Sequence, residues 1–131
     1  TRKESSAASD VYKRQSLHGD KLKTARILFT KKIITSLPDV IITSNDLIAQ
    51  GIISAAHENG INIPNDMQIT GFDDSLSSAY FIPSVTTVSQ NIDELAKRCF
   101  SMLMDLINKK SAVSSIIEQN IISRSSAKIN I

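Results

Sequence analysis

The chain has 131 residues, a length that fits one domain or a part of a larger protein. Its 15 basic and 13 acidic residues give a net charge of +2, which is far from the clustered basic excess of a nucleic-acid-binding surface. The single cysteine, Cys99, excludes an internal disulfide and a cysteine-based zinc site, and it suits a reducing compartment. No apolar run approaches the roughly 18 residues of a membrane span, and the start lacks the apolar core of a signal peptide. We therefore expect a cytoplasmic protein with no membrane contact.

The first predicted elements in chain order are an irregular segment, a helix and a strand. Residues 1–18 are polar and small and show no period, so we expect an irregular or foreign arm ahead of a domain at 19–131. From Lys21 onward, apolar residues recur at helical spacing, which predicts an amphipathic helix that stops at Pro38. The β-branched run "VIIT" that follows predicts a short strand covered on both faces.

Helices and strands alternate through the rest of the chain. Asn45 and Asp46 are typical of a helix start, and Gly60 is typical of the residue that closes a helix. "MQIT" predicts the next strand, "VTTVSQ" looks extended, and a long helix follows over 91–108 with Asn91 as its capping residue. "IIEQNIIS" is a candidate for a last strand. This alternation with short links predicts an α/β fold, in which helices flank a parallel sheet.

Polar side chains follow the carboxyl ends of two predicted strands, in "TSND" and "GFDD". In a parallel α/β sheet these ends lie side by side at the rim where ligands bind. Asn45 offers an amide, and a carboxylate from Asp73 or Asp74 can accept hydrogen bonds from neighbouring hydroxyl or N–H groups. Such a rim suits a sugar, a nucleoside or a similar polyol. The same residues are also ordinary helix caps and turn residues, and their spacing leaves both readings open.

Neither a catalytic site nor a metal site is predicted. Two acids and one amide without a nearby histidine do not complete a coordination sphere. His57 stands beside Glu58 on a predicted helix, where we expect a solvated face rather than a general base. Cys99 falls on the apolar stripe of its helix, which predicts a core residue rather than a nucleophile. No catalytic residue, metal or cofactor is therefore assigned.

An ordered set of motifs resembles the LacI/GalR-type bacterial transcriptional repressors. The set comprises "PDVIITSND", "LIAQGIISAAHENG", "INIPND", "GFDDS" and "PSVTTVSQNIDELA", and the resemblance extends over about 21–127. It implies a partial periplasmic-binding-protein-like type I fold, mainly the C-terminal lobe of the two-lobed core. In this family a small effector is held between the lobes, and an N-terminal helix-turn-helix domain reads operator DNA. Neither that domain nor a first lobe is recognisable in this sequence, so contact with operator DNA would require an additional domain.

The resemblance also implies roles for the polar residues of the rim. It implies that Asp73, Asn45 and Gln90 bind the effector. Asp46 and Asp74 would instead hold a helix start and a turn.

The resemblance further implies contacts with other protein surfaces. A homodimer would use the first helix, the helix that carries Gln50, and the loop around Tyr80 and Phe81, although Phe81 can equally cap the core. The region 91–120 would pack on the first lobe of the core, and its apolar stripe would otherwise lack a cover.

Two functions from different classes fit these expectations. One is the ligand-sensing and dimerisation portion of a DNA-binding transcriptional regulator. The other is a sugar-binding protein of a transport system, which shares the fold. The gene sequence upstream would distinguish them, because the first predicts a helix-turn-helix and the second a secretion leader. No enzyme is expected, since no general base accompanies a nucleophile.

Overall fold

The computed structural model describes residues 21–128, in which helices alternate with short strands. Residues 1–18, predicted to be irregular or foreign, lie outside this range. The elements in chain order are α1 (Lys21–Leu28), a π-helical turn (Phe29–Ile33), β1 (Val40–Ile42), α2 (Asp46–Glu58), β2 (Gln68–Thr70), α3 (Leu76–Tyr80), β3 (Thr87–Ser89), α4 (Ile92–Ile107) and β4 (Asn120–Ile122).

The strands form two short pairs that a bridge connects. β1 and β2 are parallel, with Ile41 opposite Ile69. A parallel bridge between Thr70 and Thr86 extends this arrangement towards β3. β4 runs antiparallel to β3, because residues 110–119, which have no regular secondary structure, bring the chain back beside β3 in the opposite direction. The predicted parallel sheet is therefore present, with one antiparallel pair at its side.

The hydrophobic core lies where α1, α2 and the parallel strands meet. α1 packs along α2, and the two helices approach closely at Gly51. A Cβ atom on Gly51 would lie 2.7 Å from the backbone oxygen of Leu22, so only glycine fits this contact without a shift. Arg26 on α1 joins the helices at the surface through hydrogen bonds of 2.6 and 2.7 Å to the Glu58 carboxylate. The largest fully buried apolar side chains are Phe29, Ile53, Met67, Ile69 and Val85.

One prediction about a helix end is wrong, and another is right only about the position of the capping residue. The first helix ends in the π-helical turn at Ile33 rather than at Pro38, and the N–H of Ile34 closes that turn by bonding to the carbonyl of Phe29 at 3.0 Å. Asn91 stands at the N-cap position of α4, as predicted, but it has a φ of 51° and makes no side-chain capping bond. A side-chain N-cap needs an extended backbone, which this left-handed residue lacks.

Two predictions about burial are also wrong. β1 is covered on one face only, because Ile41 packs against the core whereas Ile42 is 81% exposed. Cys99 is exposed rather than part of a core. It lies on α4, which has no buried residue, and no described element packs closely against this helix. The apolar pattern correctly marks the outer face of β1 and the apolar stripe of α4. Within the described residues, however, neither surface is covered.

Candidate functional site

The carboxyl ends of β1 and β2 meet at one rim of the fold. The backbone N–H of Asp46 donates to the carbonyl of Phe72 at 2.9 Å, just beyond the paired residues of the two strands. Asn45 immediately precedes the donor, and Asp73 immediately follows the acceptor. The rim predicted from the strand ends therefore exists, and it holds these two residues side by side.

Gln90 joins the same rim from the end of β3. Its Nε2 donates to Oδ1 of Asp73 at 2.6 Å. The backbone N–H of Asp73 donates to the carbonyl of Val88 at 3.0 Å, which fastens the Asp73 turn to β3. Asp73 is exposed and has a φ of 106°, a conformation that side-chain-bearing residues rarely adopt. The structure thus brings together all three residues to which the resemblance assigns effector binding.

Asn45 caps α2 through its side-chain oxygen, which leaves its side-chain NH2 group available to a ligand. Its Oδ1 accepts a hydrogen bond from the N–H of Ile48 at 2.9 Å, so the interpretation of Asn45 as a helix cap is correct. Its Nδ2 makes no hydrogen bond within residues 21–128. The cap fixes the side chain while leaving two N–H donors for a ligand. Capping and ligand binding are therefore compatible in this residue.

Asp46 lies behind the rim and holds it together. The residue is 1% exposed, and its carboxylate accepts three hydrogen bonds. The Thr87 hydroxyl donates to Oδ1 at 2.6 Å, while the Ser75 N–H and the Ser78 hydroxyl each donate to Oδ2 at 2.7 Å. The predicted role at a helix start is thus extended, because Asp46 fixes the start of α3 and the side of β3 as well as beginning α2.

Asp74 points to a different partner from that of Asp73. Its Oδ1 lies 2.6 Å from NH2 of Arg124, and the side chains are only 26% and 17% exposed. Arg124 also donates through NH1 to the carbonyl of Val85 at 2.9 Å. This pair ties the turn to the segment after β4. The sequence resemblance implied that Asp74 holds a turn. No local sequence pattern could have predicted its pairing with an arginine 50 residues away.

The residues predicted for a dimer contact have different environments. Gln50 is 4% exposed, and its Nε2 donates to the hydroxyls of Ser77 at 2.8 Å and Ser78 at 3.3 Å. Its side chain therefore joins α2 to α3 and is not at the surface of this chain. Tyr80 is 79% exposed, whereas Phe81 packs partly against the core. The dimer contact stays a prediction, with Tyr80 as its accessible side chain.

Away from the rim, the described structure contains a cavity lined mainly by apolar residues. The cavity has a volume of about 440 Å³ and lies at the other end of α2, between His57, Ile61 and Pro83. Within residues 21–128 no group of three or more His, Cys, Asp or Glu side chains could hold a metal ion. No helix in this part of the chain is long and apolar enough to cross a membrane.

Comparison with known proteins identifies the family. The sequence profile of a periplasmic binding protein-like domain matches residues 2–127. The chain belongs to this family. The match begins at residue 2 and so runs across most of the segment at 1–18 that was predicted to be irregular or foreign. The expected α/β fold of the periplasmic-binding-protein-like type is confirmed.

Relatives in this family are transcriptional repressors rather than enzymes. The HTH-type transcriptional repressor PurR of Pasteurella multocida is 35% identical over 85 residues, which cover 65% of this chain and 25% of that protein. The chain thus spans about a quarter of the length of the curated relatives that it matches. Its sequence corresponds to part of the effector-binding core of LacI/PurR-type regulators, as the motifs indicated.

Solved structures of such regulators have the same arrangement of elements. A ribose operon repressor protein from Lactobacillus acidophilus is 30% identical with a TM-score of 0.74, covering 85% of this chain and 41% of that one. A LacI family regulator from Enterococcus faecium, solved with bound ribose, is 25% identical with a TM-score of 0.73 and covers 80% of this chain and 39% of its own. Each of these similarities covers at least four fifths of this chain.

Proposed function

We propose that this chain is the ligand-sensing portion of a LacI-family transcriptional regulator, and that its rim binds a sugar or a related small polar effector. The observation that carries the proposal is the meeting of Asn45, Asp73 and Gln90 at the carboxyl ends of adjacent strands. α/β proteins bind their ligands at this edge of the sheet. The Enterococcus faecium regulator, which is similar to this chain, was solved with ribose.

The chemistry of the three side chains suits neighbouring hydroxyl groups. The carboxylate of Asp73 can accept hydrogen bonds from two hydroxyls, and the Nδ2 of Asn45 can donate to a hydroxyl or ring oxygen. Gln90 occupies Oδ1 of Asp73 at 2.6 Å. A ligand hydroxyl would replace Gln90 there, and the released amide would donate or accept elsewhere on the ligand. The Gln90 amide thus holds the hydrogen-bonding position on Asp73 that a ligand hydroxyl would take.

Effector binding would act on DNA indirectly. A ligand that contacts two lobes favours the lobe arrangement in which both sets of contacts form. In a homodimer this preference reaches the operator through helix-turn-helix domains, and the coupling is reciprocal between effector and DNA. Those domains would stand outside the present sequence, and the regulator would work in the cytoplasm.

An NMR titration tests the site. We expect pentoses, hexoses or nucleosides at millimolar concentration to shift the backbone amide signals of residues 45, 73 and 90. Affinity should be weak, because this chain supplies one wall of the cleft. Removing a hydrogen bond to a charged group costs about 1.5–3 kcal/mol, so Asp73→Asn should weaken binding about tenfold or more. Submicromolar binding by this chain would contradict the proposal that it supplies only one side of the ligand cleft.

Two further variants separate binding from folding. Asn45→Asp keeps an oxygen that can cap Ile48 but removes the Nδ2 donor, so it should weaken binding without unfolding α2. Asp39→Asn changes an exposed acid before β1 and serves as the matched control. If Asp73→Asn and Asn45→Asp bind every ligand of the panel as tightly as Asp39→Asn does, the rim is not the effector site.

A further inference from the structure

The turn at Asp73 and Asp74 has a backbone conformation that side-chain-bearing residues seldom adopt. Asp73 has a φ of 106° and Asp74 a φ of 51°, so two successive residues have positive φ. Such a backbone persists only where the surrounding structure enforces it, and it is found most often at functional sites. The contacts that hold this turn therefore bear on what the rim does.

Two backbone contacts fasten the turn to β3. The N–H of Asp73 donates to the carbonyl of Val88 at 3.0 Å. The N–H of Asp74 donates to the hydroxyl oxygen of Thr87 at 3.3 Å, which is longer than the usual hydrogen bond of this kind. Both contacts hold the main chain, but neither fixes the side chain of Asp74.

Arg124 supplies a third contact from the segment after β4. Its Nη2 donates to Oδ1 of Asp74 at 2.6 Å, and its Nη1 donates to the carbonyl of Val85 at 2.9 Å. Its backbone N–H donates to the Thr86 hydroxyl at 2.9 Å, and that hydroxyl donates to the carbonyl of Arg124 at 3.0 Å. The guanidinium group is thus anchored on the residues that lead into β3, and it holds the Asp74 carboxylate from there.

The geometry points to Arg124 as the residue that positions Asp73 for the effector. This inference rests on the proposed function, because it concerns the same rim, but Arg124 acts through the turn rather than by touching the ligand. By holding the Asp74 carboxylate, Arg124 keeps the turn in its unusual conformation. That conformation directs the Asp73 carboxylate towards Gln90, at 2.6 Å. Without Arg124 the turn relaxes, and Asp73 leaves the position where an effector hydroxyl would bind.

A guanidinium group suits this task better than an ammonium group. Its rigid fork presents separate N–H donors in fixed directions, so it can bind Asp74 and Val85 at the same time. A lysine has the same charge on a single nitrogen at the end of a flexible chain. It can keep the ion pair with Asp74 but loses the second anchor. Arg124→Lys should therefore restore part of what Arg124→Gln loses.

NMR of the Gln90 side chain measures the position of Asp73 without any ligand. In the unchanged chain the Gln90 amide donates to Asp73. Asp73→Gly removes that acceptor, and glycine accepts the φ of 106°. The side-chain amide signals of these two proteins therefore mark the bonded and the unbonded Gln90. We expect Arg124→Gln to move the signals most of the way towards those of Asp73→Gly, and Arg124→Lys to move them less than half as far.

A titration with D-ribose gives the second readout. The loss of one net hydrogen bond changes an equilibrium by roughly two- to tenfold, so Arg124→Gln should weaken ribose binding by about that factor. Arg124→Lys should bind ribose with an affinity between those of Arg124→Gln and the unchanged chain. The Gln90 signals decide the role of Arg124 even if the unchanged chain binds no ribose, a result that would instead count against the proposed function.

Gly51→Ala separates positioning from a general loss of stability. It disturbs the contact between α1 and α2, where a Cβ would lie 2.7 Å from the backbone oxygen of Leu22. This variant should keep the Gln90 signals and the ribose affinity of the unchanged chain, and urea unfolding shows that it loses stability as Arg124→Gln does. If Arg124→Gln does not fold, Arg124→Lys decides by the same signals. Unmoved Gln90 signals in the Arg124 variants, or an equal movement in Gly51→Ala, would overturn the proposal.

Discussion

Replacement of Asp46 by alanine tests whether one buried carboxylate holds the rim together. Asp46 is 1% exposed and accepts hydrogen bonds from the Ser75 N–H, the Ser78 hydroxyl and the Thr87 hydroxyl, at 2.6 to 2.7 Å. These donors belong to the start of α3 and to β3, whereas Asp46 begins α2. Alanine removes the acceptor for all three without changing the backbone of α2.

The expected loss of stability in Asp46→Ala depends on whether each of the three donors can find another acceptor. The two hydroxyls can rotate towards other acceptors, but the Ser75 N–H is fixed by the backbone and stays unpaired. A buried donor without a partner costs about 1–3 kcal/mol, and hydrogen bonds to a charged acceptor contribute about 1.5–3 kcal/mol. We therefore expect Asp46→Ala to lower the free energy of unfolding by about 3–5 kcal/mol. This is a large share of the roughly 5–15 kcal/mol that a domain has.

Urea unfolding followed by far-UV circular dichroism measures this loss. Asp46→Asn should cost less, because its Oδ1 can accept from Ser75 and Ser78 while its amino group faces the Thr87 hydroxyl, which can turn to accept. Asp39→Ala removes an exposed acid and should change stability by less than about 0.5 kcal/mol. A loss below about 1 kcal/mol in Asp46→Ala would show that the three hydrogen bonds do not support the fold.

Three further substitutions probe neighbouring contacts by the same measurement. A Cβ on Gly71 would lie 2.1 Å from Oδ1 of Asp46, so Gly71→Ala should cost about 1–3 kcal/mol. That cost should shrink in the Asp46→Ala background, and an unchanged cost would mean that it arises from another contact, such as the Val85 side chain at 3.1 Å. Arg124→Gln breaks the 2.6 Å pair with Asp74 and should cost about 1–3 kcal/mol, whereas a neutral effect would make the pair incidental. Gly51→Ala should push α1 away from α2 at a cost of about 1–3 kcal/mol, and full stability would contradict the close approach.

Much of the fold could be predicted because its signals are local. The apolar spacing of α2 and the β-branched runs of β1 and β2 depend on neighbouring residues, so the order of elements follows from the sequence. The rim could be predicted as well, since a strand–helix–strand unit with parallel strands brings both carboxyl ends to one edge. The placement of Asn45 near Asp73 rests on this rule. The motifs around them were enough to indicate the family.

The partners of the buried polar groups required the folded chain. Asp46 reaches Thr87 over 41 residues, and Arg124 reaches Asp74 over 50. No local pattern encodes such pairs, because they form only when distant segments pack together. The sequence also could not predict whether the apolar faces are covered by other parts of the protein. Periodicity marks the outer face of β1 and the stripe of α4 as apolar, but whether Ile42 or Cys99 is covered depends on which other segment lies against it.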